Sequence, residues 1–218
     1  MTQPARNMEF WHNRWHSKQT GWHRPEYNDL LVKYWPTINV HANCEVLVPL
    51  CGKSLDMIWL AEQGHRVTGL EMVEKAVETF FSENELEYST TENSTHKIHS
   101  SKPYKIFQGN FFDLEKGVLK VDAWYDRAAM IAINPSDRKA YVKQISNQTN
   151  SGAVGLLITF AYPQEQMAGP PFALQDSHVY DLFSEGFEVE CLENIQLEDD
   201  RDRGLSNVTS TVFRINRI

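Results

Sequence analysis

The chain has 218 residues, with 21 Lys and Arg against 29 Asp and Glu, a formal net charge of −8. That length supports one sizeable core, and an acidic balance without a long basic run argues against a nucleic-acid partner. Cys44, Cys51 and Cys191 have no paired spacing, and neither a signal peptide nor a membrane-length apolar run is seen, which predicts a reducing, cytoplasmic setting with no membrane partner.

Taken in order, Met1–Asn7 reads as a loose polar start. An aromatic concentration follows: Phe10, Trp11, Trp15 and Trp22, then Tyr27, Tyr34 and Trp35. Trp11 and Trp15 are four apart and share a helix face. They fit an amphipathic helix docked on the core, and alternatively a lid of rings over a ligand, where aromatic faces attract a cation. His12 and His16 share the same spacing, but no further ligand accompanies them, so no metal site is expected. A second helix is predicted over residues 26–35, stopped by Pro36.

The most informative stretch is Glu45 to Glu71, EVLVPLCGKSLDMIWLAEQGHRVTGLE. Val46–Val48 is a short branched apolar run, suited to a buried parallel strand, and Pro49 ends it. Leu50–Ser54 turns the chain. A helix opening at Lys53 or Ser54 carries Leu55, Ile58, Trp59 and Leu60, and Gly64 stops it. Val67–Leu70 is the next strand, with Glu71 at its end. An acid roughly 20 residues after a strand–helix turn is placed to accept hydrogen bonds from a ribose. Gly52-Lys53-Ser54 is not a phosphate loop, because the glycine that loop needs falls on Leu47. One glycine is also too few for the dinucleotide fingerprint. A nucleoside ligand without phosphates tolerates such a turn, and S-adenosylmethionine is of that kind. An ordinary strand–helix turn with a solvated Glu71 fits the same residues.

Beyond it, residues 73–84 have helical spacing, and residues 86–102 form a polar loop or hairpin insertion. Lys105–Gln108 is a third strand, followed by the turn Gly109-Asn110-Phe111-Phe112-Asp113. This turn is a candidate for adenine contacts at a strand's carboxyl end; alternatively its aromatics are tucked into the core. Ala123–Tyr125 is a fourth strand ending in Asp126-Arg127, either a site pair or a surface ion pair. A helix from Asn134 to Gln148, a strand at 153–160, a stiff loop at 162–172, a helix capped by Asp176 or Ser177, a strand at 187–195, a mixed-charge loop at 198–203 and a strand at 207–215 complete the pattern. Strands alternate with helices until the last two strands, which predicts a mostly parallel α/β sheet with a terminal antiparallel hairpin. No linker or repeat divides the chain, so residues 1–218 are expected to form one domain.

These residues resemble the thiopurine S-methyltransferase family. The resemblance runs through FWHNRW from Phe10, GWH from Gly21, VLVPLCGKSLDMIWLAEQGHRVTGLE, GNFFDL, DRAAMIAINPSDR and AGPPF, over roughly residues 9–190. It implies the class I methyltransferase fold, Rossmann-like and three-layered, with a seven-stranded sheet. It implies S-adenosylmethionine as cofactor, S-adenosylhomocysteine as product, no metal, and methyl transfer to the sulfur of aromatic and heterocyclic thiols. Bacterial members are also linked to selenium and tellurium compounds.

Carried over by position, the resemblance implies cofactor contacts from Trp11, Trp15, Leu50, Glu71, Asn110, Phe111 and Arg127, with Glu71 on the ribose and residues 1–40 as a helical lid. Trp22, where a Phe is often found, and Arg203 or Arg201 are the implied acceptor contacts. Arg127 stands near the reacting groups, and Asp126 is expected to orient it. A monomer acting on a small thiol or metalloid is expected. The rival readings are another small nucleophile as acceptor and a non-catalytic adenosine-ligand sensor.

Overall fold

The computed structural model describes residues 3–218, with side chains from Met8 onward. In chain order the elements are α1 (Gln3–His16), α2 (Asp29–Tyr34), β1 (Glu45–Val48), α3 (Asp56–Glu62), β2 (Arg66–Glu71), α4 (Glu74–Glu83), β3 (Ser89–Glu92), β4 (Lys97–Ser101), β5 (Tyr104–Gln108), β6 (Val121–Arg127), α5 (Arg138–Gln148), β7 (Thr149–Ile158), α6 (Asp176–Leu182), β8 (Phe187–Gln196) and β9 (Thr209–Arg217). The chain divides into two compact units, residues 1–28 with 42–115 and residues 29–41 with 116–218.

In the first unit the strands are ordered β3-β4-β5-β2-β1. β1, β2 and β5 are parallel, with Val48 opposite Gly69 and Glu71 opposite Gln108. Val46–Val48 of β1 and Val67–Leu70 of β2 are buried on both faces, which is why they read as continuous apolar runs rather than alternations. α4 buries Ala76, Val77, Phe80 and Phe81, and Phe80 meets Tyr104 of β5 edge-on at 5.5 Å. The α3 helix starts at Asp56, later than Lys53 or Ser54. The Cys51–Ser54 turn comes first, and the Ser54 hydroxyl accepts the Asp56 N–H at 3.2 Å. Gly64 follows the helix with φ +89°, the left-handed residue expected at a helix end.

In the second unit β6 and β7 are parallel, and β9 runs antiparallel to both β7 and β8. The terminal antiparallel pair is therefore present. The seven strands expected from sequence all form, but nine exist among the described residues. The additional two are β3 and β4, so the polar insertion is a hairpin. β3 is exposed at every position, so it lacks the apolar alternation that marks a half-buried strand.

Two boundaries differ by a physical rule. α2 begins at Asp29 rather than at 26 and ends at Tyr34, ahead of Pro36 as expected; Pro36 then opens a 3-10 turn, Trp35–Thr37, because its missing N–H is unneeded in a first turn. α1 extends back to Gln3, through the Asn7 expected to be loose, with Pro4 tolerated in its first turn for the same reason; Met1 and Thr2 lie outside the described residues. Of the three thiols, Cys44 and Cys51 are buried and Cys191, on β8, is exposed. No described helix is long and apolar enough to cross a membrane.

Candidate functional site

The first unit gathers its expected site residues at the carboxyl ends of β1, β2 and β5. Leu50 takes a left-handed φ of +49° and Gly52 one of +54°, so the chain reverses sharply around Cys51, whose N–H donates to the Leu70 carbonyl at 2.9 Å. The turn delivers the Gly52 N–H to Glu71 Oε2 at 2.9 Å, and the Val73 N–H reaches Oε1 at 2.8 Å. Glu71 is only 7% exposed. Burial pushes its carboxyl above the usual range, against the pull of the Val73, Gly52 and Met72 N–H groups. An ionised carboxylate has about four acceptor positions, and the N–H groups of Gly52, Val73 and Met72 take up to three. The remaining one suits a hydroxyl such as a ribose presents. Glu71 is thus a fixed, buried acceptor and not a solvated strand-end charge.

The aromatic rings lie on this turn. Trp15 is 8% exposed and packs with Val73 and Ala76, with Trp11, Trp22 and Met72 around them. Trp22 meets Trp11 edge-on at 5.3 Å and Trp15 at 6.1 Å. A Cβ on Gly52 would stand 3.2 Å from the Trp15 ring, so the glycine serves both the positive φ and the close approach of the indole.

The turn after β5 hangs from the same acid, for the Gly109 N–H donates to the Glu71 backbone carbonyl at 2.9 Å. Asn110 caps the short 3-10 turn Phe111–Asp113 by accepting the Phe112 N–H at 3.2 Å. Phe111 is buried and Phe112 exposed. Leu50, Glu71, Asn110, Phe111, Trp11, Trp15 and Trp22 therefore belong to one connected group, formed by α1, the strand ends and the turns that follow them. Among the described residues no group of three His, Cys, Asp or Glu is arranged to hold a metal.

In the second unit, Asp126 and Arg127 end β6. Asp126 and Arg127 are successive strand residues, which project to opposite faces. Asp126 is 2% exposed, accepts the Tyr141 hydroxyl at 2.8 Å and accepts the Met130 N–H at 3.1 Å. Burial pushes its carboxyl up to about 6, against the Met130, Tyr141 and Ala129 donors and the Arg138 charge. Asp126 therefore fastens the turn that follows Arg127 to α5. Arg127 itself is half-buried.

Arg203 lies over the Phe160 ring at 5.3 Å and donates through Nε to Asp200 at 2.6 Å. Phe160 packs with Met167 and Leu197 against the cluster Tyr162, Ala173, Leu205 and Val208.

Sequence reasoning missed Arg138 and Tyr141. Arg138 is 3% exposed and donates to the Ala173 and Phe172 carbonyls at 3.0 and 3.1 Å, pinning the loop that ends at Ala173. Its signal was a cation at the start of a helix, where the dipole disfavours one.

Comparison with known proteins gives a consistent picture. The model of the thiopurine S-methyltransferase family matches residues 6–217. A thiopurine S-methyltransferase of Shewanella baltica (strain OS185) is 45% identical over 195 residues, 89% of this chain and 89% of that protein. Among solved structures, a methyltransferase dependent on S-adenosylmethionine from Methanosarcina mazei has a TM-score of 0.65 at 15% identity, covering 88% of this chain and 99% of that one. A Burkholderia thailandensis 1,6-didemethyltoxoflavin-N1-methyltransferase, with 1,6-didemethyltoxoflavin and S-adenosylhomocysteine bound, has a TM-score of 0.64 at 13% identity, covering 100% of this chain and 91% of that one. The fold is that of the class I methyltransferases, as the sequence implied.

Proposed function

The chain belongs to the thiopurine S-methyltransferase family and is an S-adenosylmethionine-dependent methyltransferase, and from that premise we propose that it methylates the sulfur of small aromatic or heterocyclic thiols. The observation that carries the cofactor site is the fixed Glu71 carboxylate, with acceptor capacity left beside a turn faced by Trp15.

When bound, S-adenosylmethionine supplies an activated methyl group on a sulfonium sulfur, which an acceptor sulfur takes by in-line displacement. The chain's own residues do the rest. Glu71 holds the ribose, Leu50 presents backbone at the turn, and Asn110 with Phe111 borders the adenine. Trp11, Trp15 and Trp22 form an aromatic wall that excludes water and offers π faces to a cation. We read the helix carrying Trp11 and Trp15, with Trp22 after it, as the working part of the lid expected over residues 1–40. Arg127 contacts the cofactor and faces the negative charge of a thiolate, the guanidinium being always protonated. Asp126 acts through the turn it fixes and touches nothing that reacts. Thiols of this class are acidic, so no side chain is assigned as a base.

Trp22, and in the second unit Arg203 with Phe160, are assigned to the acceptor. A cation laid over an aromatic ring, next to the apolar Tyr162 cluster, offers both halves of what an anionic aromatic thiol presents. This supports the thiol reading over an inorganic metalloid oxyanion, which has no use for apolar surface.

The test is incubation with methyl-labelled S-adenosylmethionine and 6-mercaptopurine, thiophenol, selenite, tellurite, iodide or no acceptor. Label is expected in the two thiols. Label confined to the inorganic acceptors would keep the fold and cofactor but remove the thiol assignment, and cofactor binding without any transfer would favour a sensor.

A further inference from the structure

The polar insertion at 86–102 contributes a buried histidine to the loops around Glu71. We propose that His96, carried by the β3–β4 hairpin, is a positioning residue of the cofactor site that fixes the Asn110–Phe111 turn. The proposal rests on the reading of that turn as the adenine border.

The hairpin end is rigidly built. The Asn93 side-chain oxygen accepts the N–H groups of Thr95 and His96 at 3.0 and 2.8 Å, and the Asn93 N–H donates to the His96 carbonyl at 2.9 Å. The Thr95 hydroxyl lies 2.8 Å from His96 Nδ1, and Nε2 lies 3.1 Å from the Asn110 carbonyl oxygen. A carbonyl only accepts, so Nε2 carries the proton and Nδ1 accepts from the hydroxyl. The ring is 3% exposed and meets the Phe107 ring edge-on at 6.1 Å. Burial holds the imidazole below its ordinary range, in keeping with a neutral donor.

The approach depends on Gly109. A Cβ there would fall 2.5 Å from the imidazole Cδ2 and 3.0 Å from the Thr95 carbonyl oxygen, so any side chain would displace the histidine. The turn is thereby held on two sides: from β2 by the Glu71 carbonyl on the Gly109 N–H, and from the hairpin by His96 on the Asn110 carbonyl. Without the second tie, Asn110 and Phe111 would have to be ordered when the ligand binds, and affinity would fall by that entropy.

The test uses calorimetric binding of S-adenosylmethionine and 5′-methylthioadenosine to the purified full chain, with melting temperature recorded. His96→Leu removes the donor, His96→Gln returns one, Thr95→Val frees the ring, and Phe111→Ala probes the adenine border independently. His96→Leu is expected to weaken both ligands by about tenfold, as for one lost buried hydrogen bond. Turnover at saturating cofactor and the acceptor KM should change by less than about twofold, since the tie precedes the chemistry. His96→Gln should recover most of the affinity, and Thr95→Val should lose a smaller factor. Weakening by Phe111→Ala with unchanged binding in His96→Leu would overturn the proposal alone. Unchanged binding in both would remove the adenine border and the proposal with it. If His96→Leu fails to fold, unchanged binding in Thr95→Val still overturns it.

Discussion

Gly52 and Glu71 are joined by one hydrogen bond, backbone N–H to carboxylate at 2.9 Å, which closes the end of β1 onto the end of β2. On the proposed reading the acid is shared between the fold and the ligand. Glu71→Ala should weaken S-adenosylmethionine by about 1–3 kcal/mol, roughly 5- to 150-fold in Kd, for a hydrogen bond to a charged group. It should also lower the melting temperature, since the Gly52 and Val73 N–H groups lose their acceptor. Because burial raises this carboxyl, wild-type affinity should fall as pH drops towards its pKa and the acceptor gains a proton. Glu71→Gln should flatten that dependence. Calorimetry across pH reads both, and an unchanged Kd in Glu71→Ala would take the ribose assignment away.

Arg127 ends β6 half-buried. Arg127→Ala should lower kcat by about a hundredfold, the scale of losing one donor aimed at developing or transferred charge, with the Kd for S-adenosylmethionine moving less than about tenfold. Single-turnover rates with 6-mercaptopurine measure this. Equal rates in the two proteins would exclude Arg127 from the reaction.

Asp126 should leave a pH signature on stability. Its carboxyl is raised from 3.8 to about 6 in the folded chain, so between those values the native state binds more protons than the unfolded one. The protonated group's contribution is complete below pH ~3.8 and is lost as pH rises through about 6. The advantage of wild type over Asp126→Asn in chemical denaturation should therefore shrink across that window, by up to about 3 kcal/mol at ~1.4 kcal/mol per pKa unit. A constant difference from pH 4 to 7.5 would show that Asp126 titrates normally.

Gly52→Ala tests the turn itself. The left-handed φ of +54° costs a residue with Cβ about 1–2 kcal/mol, and the new methyl would press on the Trp15 ring. A lower melting temperature and weaker cofactor binding are expected together. Loss of stability without loss of affinity would separate Trp15 from the ligand.

The core of this arrangement is legible in the sequence. β1, its turn, α3 and β2 advertise themselves because buried parallel strands are uniformly apolar and Pro49 and Gly64 punctuate them. Glu71 was legible as an acid at a strand end, but not as a carboxylate with two backbone N–H groups on it, because those bonds come from residues 19 positions before and two after it. Asp126 was legible as an acid at a strand end, but its bonds to the Tyr141 hydroxyl and the Met130 N–H were not, because they come from residues further along the chain. The hairpin was the least legible part. Its residues are Ser, Thr, Asn and Glu, β3 faces solvent throughout, and the burial of His96 is decided by Gly109, thirteen residues later.

The uneven exposure of the three thiols gives an experimental handle. Cys44 and Cys51 are buried in the first unit, while Cys191 stands exposed on β8 of the second. Burial and Asp176 raise the Cys191 thiol, so a maleimide or nitroxide reagent applied to the native protein at mildly alkaline pH should attach at one position without mutagenesis. A spectroscopic reporter fixed there leaves Glu71, the tryptophans and the β3–β4 hairpin chemically untouched.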